Sequence, residues 1–385
     1  MTVLLDDGHV DPGTHVLLIG VGDYPYLKDG DDARRFEMSM GMGQLSSPQL
    51  SVRALATWFM DTAAGFHNPD RPLRSLQVLC SADGPVQMDG PDGASHAVDR
   101  ARMPAVKQAV MGWMARAGRN PENLAVFFFC GHGLAFGEAE NALLLEDFGG
   151  NLPNPMADAI AFDSMRLGVL RHCAANHQIH LVDACRTPPT KEFLDTYGNN
   201  ATGDPIAAAG LSRKLRDKIT PVYFATGLAS AAYGLNGQPS LFTQGLLQAM
   251  RGPASYDKDD HWEVQVPRLA EGINKCVASM SFQVQPQYCQ PHETGPELMI
   301  HRLRAEPEVI VKVFTRDLDL LPQAILAHVD EDTHVREERL PDPAPWWVAL
   351  SMGSYRFEAL AASDKTRVLG QKIKYVMPPG VEVGL

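Results

Sequence analysis

Two short stretches carry residues whose types suit covalent chemistry, Cys130-Gly-His132-Gly133 and Asp183-Ala-Cys185-Arg186. A cysteine thiol has an unperturbed pKa of about 8.5 and is mostly protonated at neutral pH. A nucleophilic Cys185 therefore needs a base beside it, and the imidazole of His132 can take the proton. The attacked carbonyl then gathers negative charge on its oxygen. Gly133 can bring a backbone N–H close to that oxygen because no side chain blocks the approach, and the Cys185 N–H is a second candidate donor. The same residues, Cys130, His132, Asp183 and Cys185, also have metal-ligand chemistry, although no compact Cys or His pair with finger-like spacing is among them.

Both stretches close short apolar runs, residues 124–130 and 178–185, which read as central strands. Residues 15–20 form another such run and end in Gly-Val-Gly-Asp-Tyr, while residues 73–80 make a further strand. Val52, Leu55, Ala56, Phe59 and Met60 fall at helical spacing, as do Met103, Val106, Val110, Trp113 and Met114 around Pro104. Residues 81–102 read as a polar loop, 141–146 as a small extra strand and 164–175 as a helix. Residues 221–226 read as a strand, and 240–250 as a helix stopped by Gly252. This alternation implies an α/β fold with a mostly parallel sheet and helices on both faces. Ligands of such sheets bind outside the carboxyl ends of the strands, where His132 and Cys185 both fall. Beyond Arg302 the pattern changes to short strand candidates at 308–314, 324–329, 346–350 and 355–360, with no convincing helix between them. The expected division is residues 1–302 and a small β-rich accessory domain, 303–385.

The stretch Phe127-Phe-Phe-Cys-Gly-His-Gly133, with Asp183-Ala-Cys-Arg186 following so that Cys185 lies 53 positions after His132, resembles the histidine and cysteine motifs of caspase-like cysteine peptidases, especially bacterial metacaspase relatives. The resemblance covers most of residues 14 to about 302. It includes the opening strand at 15–24, Ser240-Leu-Phe-Thr-Gln-Gly-Leu-Leu, which is similar to the family's late helix, and Gln285-Pro286, similar to the lead-in to its last strand. It implies a caspase-like fold, His132 as base, Cys185 as nucleophile, and Gly133 with Cys185 as oxyanion donors. The chain reads Asp-Ala-Cys-Arg-Thr where caspases have Gln-Ala-Cys-Arg-Gly. In metacaspases the acid two residues before the nucleophile lies at the base of a pocket for a basic side chain, which implies that Asp183 receives Arg or Lys ahead of the scissile bond. The family's Asn-Asp in the helix after the first strand has no match in Ser46-Ser-Pro-Gln-Leu-Ser51. A second pocket acid is therefore missing or supplied elsewhere, with Asp23 as candidate, although Gly-Asp-Tyr also suits a plain turn.

The implied activity is a cysteine endopeptidase acting on protein or peptide substrates, triggered by an activating protein partner in bacterial defence or regulated proteolysis. The alternative is a catalytically silent binding module of the same fold. Metacaspases often depend on calcium, which the resemblance leaves open here, but no Asp-rich loop maps securely onto their ion site, so no cofactor and no metal ligands are assigned. The long segment 187–220 carries Arg213, Lys214, Arg216 and Lys218, which are candidate self-cleavage positions for an enzyme that accepts basic residues. The alternative is a solvated basic helix face, favoured by Leu211 and Leu215 lying four apart.

The chain of 385 residues has 45% hydrophobic and 21% charged residues, as globular proteins do, and no run approaches the roughly 18 apolar residues of a membrane span. A net charge of -12 argues against nucleic acid as a partner. Residues 1–13 show no leader pattern, so a soluble, cytoplasmic protein is expected. The six cysteines then read as reduced thiols, with Cys80, Cys130, Cys173, Cys276 and Cys289 as small buried apolar residues. His172, His177 and His180 read as structural or solvent-facing.

Overall fold

Val, Leu, Ile and Phe dominate the strands Thr14–Val21 and Leu124–Gly131, and every residue of both is buried. Strands buried on both faces belong at the centre of a parallel sheet. The computed structural model, which describes residues 2–207, 218–228, 237–280 and 287–385, places them there. Across the sheet the order is Thr2–Asp6, Leu73–Ser81, Thr14–Val21, Leu124–Gly131, His177–Ala184, Val222–Phe224 and Gln290–His292. The five inner strands are parallel, and the two outermost pair antiparallel with their neighbours. From Thr14–Val21 the chain steps outward to Leu73–Ser81 and then returns past its start to Leu124–Gly131. The order thus reverses between Thr14–Val21 and Leu124–Gly131, and in sheets of this kind ligands bind outside the carboxyl ends of the strands at such a reversal.

Side chains alternate between the faces of a strand, so each strand feeds two layers. Leu17, Ile19, Val21, Phe127 and Phe129 join Trp113 of helix Met103–Ala117 and Phe162 of helix Phe162–His172 in one core. Trp113 also donates its indole N–H to the His15 carbonyl at 3.0 Å. Helix Ser47–Met60 covers the other face so closely that a Cβ on Gly20 would lie 2.7 Å from Val52 and 2.9 Å from the Pro48 carbonyl oxygen. Each buried Phe contributes roughly 1.5–3 kcal/mol relative to exposure. The α/β sheet with helices on both faces is the architecture the sequence implies.

The chain divides into two compact units, Met1–Gln244 with Gln287–Glu297, and Gly245–Pro286 with Leu298–Leu385. The second unit contains the hairpin Ser255–Lys258 and His261–Gln265 with Met299–Arg302 beside it, and the helix Val266–Met280. It also holds a three-stranded sheet around Glu308–Phe314 and a four-stranded sheet around Ala324–Asp330 and Gly353–Ala361. Val309, Val311, Val313, Leu326, Phe357 and Val383 fill the core of these strands. Among the described residues from 303 onward the only helical turn is the 3-10 segment Leu318–Gln323.

Several elements lie where the sequence predicts none. Residues 81–102 are not simply loop, because Val86–Asp89 pairs with Ser95–Val98 as a hairpin. Thr2–Asp6 adds an edge strand, Lys191–Tyr197 is a short helix, and the interval 252–302 contains the hairpin and helix just described.

Candidate active site

The strand carrying the cysteine, His177–Ala184, runs parallel to the strand carrying the histidine, with Asp183 opposite Cys130 and Ala184 opposite Gly131. The next position on each is Cys185 and His132, so backbone register alone sets the two side by side at the carboxyl edge. Cys185 is half-buried, whereas the other five cysteines are buried. Burial pushes the thiols of Cys80 and Cys276 up to about 12 and keeps them protonated.

His132 is held at three points. Its Nε2 lies 2.7 Å from the Gly43 carbonyl oxygen. A carbonyl only accepts, so the proton sits on Nε2 and the basic lone pair on Nδ1. The main-chain N–H of His132 donates to the Tyr24 hydroxyl at 2.8 Å, and that hydroxyl donates to the Leu144 carbonyl at 3.2 Å. The Tyr24 ring tilts against the imidazole, with centroids 4.8 Å apart. Burial lowers the pKa of His132 below its usual value of 6.5, outweighing the Gly43 bond, so the ring is neutral at pH 7.

Gly133 opens the strand Gly133–Gly137 directly beside the cysteine loop. A Cβ there would lie 2.6 Å from the Cys185 carbonyl oxygen and 3.0 Å from the Ala184 Cβ, so only glycine fits without displacing Cys185. Two residues on, the Ala135 N–H donates to the Thr187 carbonyl at 3.0 Å and ties this strand to the chain after the nucleophile. Arg186 anchors the same chain. Its buried guanidinium donates to Asn141, Gln290 and the Glu138 carbonyl at 3.0, 2.9 and 3.0 Å, and stacks over Phe224 at 4.2 Å.

Asp183 and Asp23 lie in different settings. Asp183 is 3% exposed; its carboxylate accepts hydrogen bonds from the Ser240 hydroxyl and, at 3.0 Å, from the Thr243 hydroxyl at the start of helix Leu241–Ala249. Desolvation outweighs these donors and raises its pKa from 3.8 to about 6. Asp23 instead lines a cavity of about 1020 Å³ together with Asp29, Asp31, Gln44 and Asp83, and it pairs with Arg100. Arg100 and Arg102 also hold Glu146, whose side chain is wholly buried, at 2.7 and 2.8 Å.

Arg213, Lys214 and Arg216 lie outside the described residues, as do Gln285 and Pro286. Lys218 is described, and its ammonium donates to the carbonyls of Leu170 and Cys173. No three His, Cys, Asp or Glu side chains come together as a metal-ligand set among the described residues. Among them, too, no helix is long and apolar enough to cross a membrane.

The structure adds Tyr24, Gly43, Gln44, Arg186, Ser240 and Thr243 to the residues around the pair. Tyr24 had a signal in the Gly-Asp-Tyr that ends the first central strand. The carbonyl of Gly43 had none, because a main-chain acceptor leaves no trace in residue type.

Fold and site together define an α/β protein with a cysteine–histidine pair on adjacent parallel strands at the carboxyl edge of its sheet. No family model matches the chain. It is 28% identical over 327 residues to the uncharacterized protein y4kE of Sinorhizobium fredii, covering 79% of this chain and 88% of that protein. Among solved structures, protein GSU0716 from Geobacter sulfurreducens superposes with a TM-score of 0.40 at 10% identity, covering 73% of this chain and 93% of the other. Caspase-1 from Spodoptera frugiperda superposes with a TM-score of 0.39 at 8% identity, covering 77% of this chain and 94% of the other. Superpositions this loose do not decide a family.

Proposed function

We propose that the chain is a caspase-like cysteine endopeptidase that cuts after Arg or Lys. One observation carries the reading: strand register sets Cys185 beside His132, whose Nε2–H is committed to the Gly43 carbonyl and whose Nδ1 is thereby the basic nitrogen. In this mechanism the Cys185 thiol passes its proton to Nδ1, and the thiolate attacks the substrate carbonyl carbon. The oxyanion accepts hydrogen bonds from the N–H groups of Gly133 and Cys185. Collapse expels the amine, which takes its proton from Nδ1 and leaves a thioester on Cys185. Water, deprotonated by Nδ1, then releases the carboxylic product and restores the thiol.

Basic specificity is assigned to Asp183, with Asp23 as second acid. A buried carboxylate without a cation is costly, and an incoming guanidinium or ammonium would relieve that cost. A place in bacterial defence or regulated proteolysis, with a partner protein as trigger, belongs to the same proposal. The test is a panel of fluorogenic peptides that differ only in the residue before the cleaved bond. Cleavage after Arg or Lys, at least tenfold faster than after Asp, is expected. Faster cleavage after Asp would remove Asp183 from the pocket, and no cleavage of any peptide would favour the silent binding module.

A further inference from the structure

The segment that leaves the strand Thr14–Val21 returns some twenty residues later to deliver the Gly43 carbonyl to His132, and a loop of that length has slack unless something pins it. The side chain of Gln44 does so. Its Oε1 accepts the Tyr24 N–H at 2.8 Å, and its Nε2 donates to the Tyr24 carbonyl at 2.9 Å and the Lys28 carbonyl at 3.1 Å. One amide thus holds both backbone groups of Tyr24, whose hydroxyl accepts the His132 N–H. The links form a closed circuit: His132 to the Tyr24 hydroxyl, the Tyr24 main chain to the Gln44 side chain, and Gly43, joined to Gln44 by a peptide bond, back to the His132 ring.

We infer that Gln44 is a positioning residue that fixes the orientation of the His132 imidazole by locking the Gly43 carbonyl to Tyr24. This rests on His132 acting as the base for Cys185. The returning chain is also guided by contacts from the Leu45 N–H to the Gly22 carbonyl at 2.8 Å and from the Lys28 N–H to the Met42 carbonyl at 3.1 Å, the latter within a parallel bridge that pairs Lys28 with Gly43. They flank Gly43 without joining it to Tyr24. Losing the Gln44 amide therefore leaves the loop in place but frees the carbonyl to swing, and with it the ring.

The experiment uses the full chain with 15N-labelled histidine. In the wild type the Nε2–H proton of His132, held by a carbonyl away from water, exchanges slowly enough to be observed, and Cys185 displaces iodide from iodoacetamide at a rate set by its thiolate. Gln44→Ala is expected to lose that proton signal to fast exchange and to slow alkylation on the order of ten- to a hundredfold at pH 7. The kcat for any peptide cleaved should fall with KM unchanged. Gln44→Glu, which keeps the acceptor for the Tyr24 N–H and loses both donated bonds, should fall between the two. It also serves as the readout should the alanine variant not fold. A folded Gln44→Ala or Gln44→Glu protein with the wild-type proton signal and wild-type alkylation rate overturns the inference, even if its melting temperature drops. Absence of peptide hydrolysis by the wild type would count against the proposed function alone, since the proton signal and the alkylation rate still decide the role of Gln44.

Discussion

Burial acts in opposite directions on His132 and Asp183. It disfavours the charged form of each, which keeps the imidazole neutral and able to accept a proton, but leaves Asp183 an acid held against its preference. Because the folded-state pKa of Asp183 is about 6 against 3.8 for the ordinary carboxyl, the folded protein binds the extra proton between those values. Stability from this group is therefore full below about 3.8 and is lost as pH rises through about 6, an effect on the order of 2–3 kcal/mol. Asp183→Asn keeps an oxygen for the Ser240 and Thr243 hydroxyls and carries no charge. It should be at least as stable as the wild type at pH 7.5, and its urea midpoint should lose the wild type's decline between pH 4 and 6. A variant less stable than the wild type at pH 7.5 would mean that the carboxylate has a cationic partner in the folded protein.

The strand that begins at Gly133 has to pass against the cysteine loop, and that is where a minimal change should be most damaging. Gly133→Ala adds one methyl group facing the Cys185 carbonyl, which displaces an oxyanion donor and the nucleophile together. We expect a folded protein by circular dichroism with kcat reduced about 10²- to 10³-fold; activity within twofold of the wild type would show that this strand does not line the reacting carbonyl. The strand Leu124–Gly131 was legible because a continuous apolar run of eight residues admits few alternatives to a buried parallel strand, and His177–Ala184 because Ile179, Leu181 and Val182 form a short apolar stretch running into the Asp-Ala-Cys motif. The helix Val266–Met280 carries Val266, Leu269, Ala270, Ile273, Cys276 and Val277 at helical spacing, so its apolar face is legible in the sequence. The hairpin at Val86–Asp89 and Ser95–Val98 was not legible, since strands of four residues with exposed Gln87, Asp89 and Ser95 among Gly and Asp look like loop. Nor was the Tyr24–Gln44 clamp, because a hydrogen bond across a twenty-residue loop follows the path of the backbone and leaves no periodic pattern.

At the scale of the whole chain, both units have their own apolar cores, and the cysteine–histidine pair belongs entirely to the first. The mostly parallel sheet followed from the alternation of strand and helix, and the motifs fell at strand ends where such a sheet binds ligands. The net charge of -12 would draw basic peptides toward the protein, in keeping with the proposed preference. The central claim is that Cys185 and His132 act as one unit on a peptide carbonyl. It is tested most directly by comparing hydrolysis of a single Arg-containing fluorogenic peptide by the wild type, Cys185→Ala and His132→Ala, each confirmed as folded. The account predicts turnover by the wild type and none above background by either variant. Substantial turnover by Cys185→Ala would contradict it.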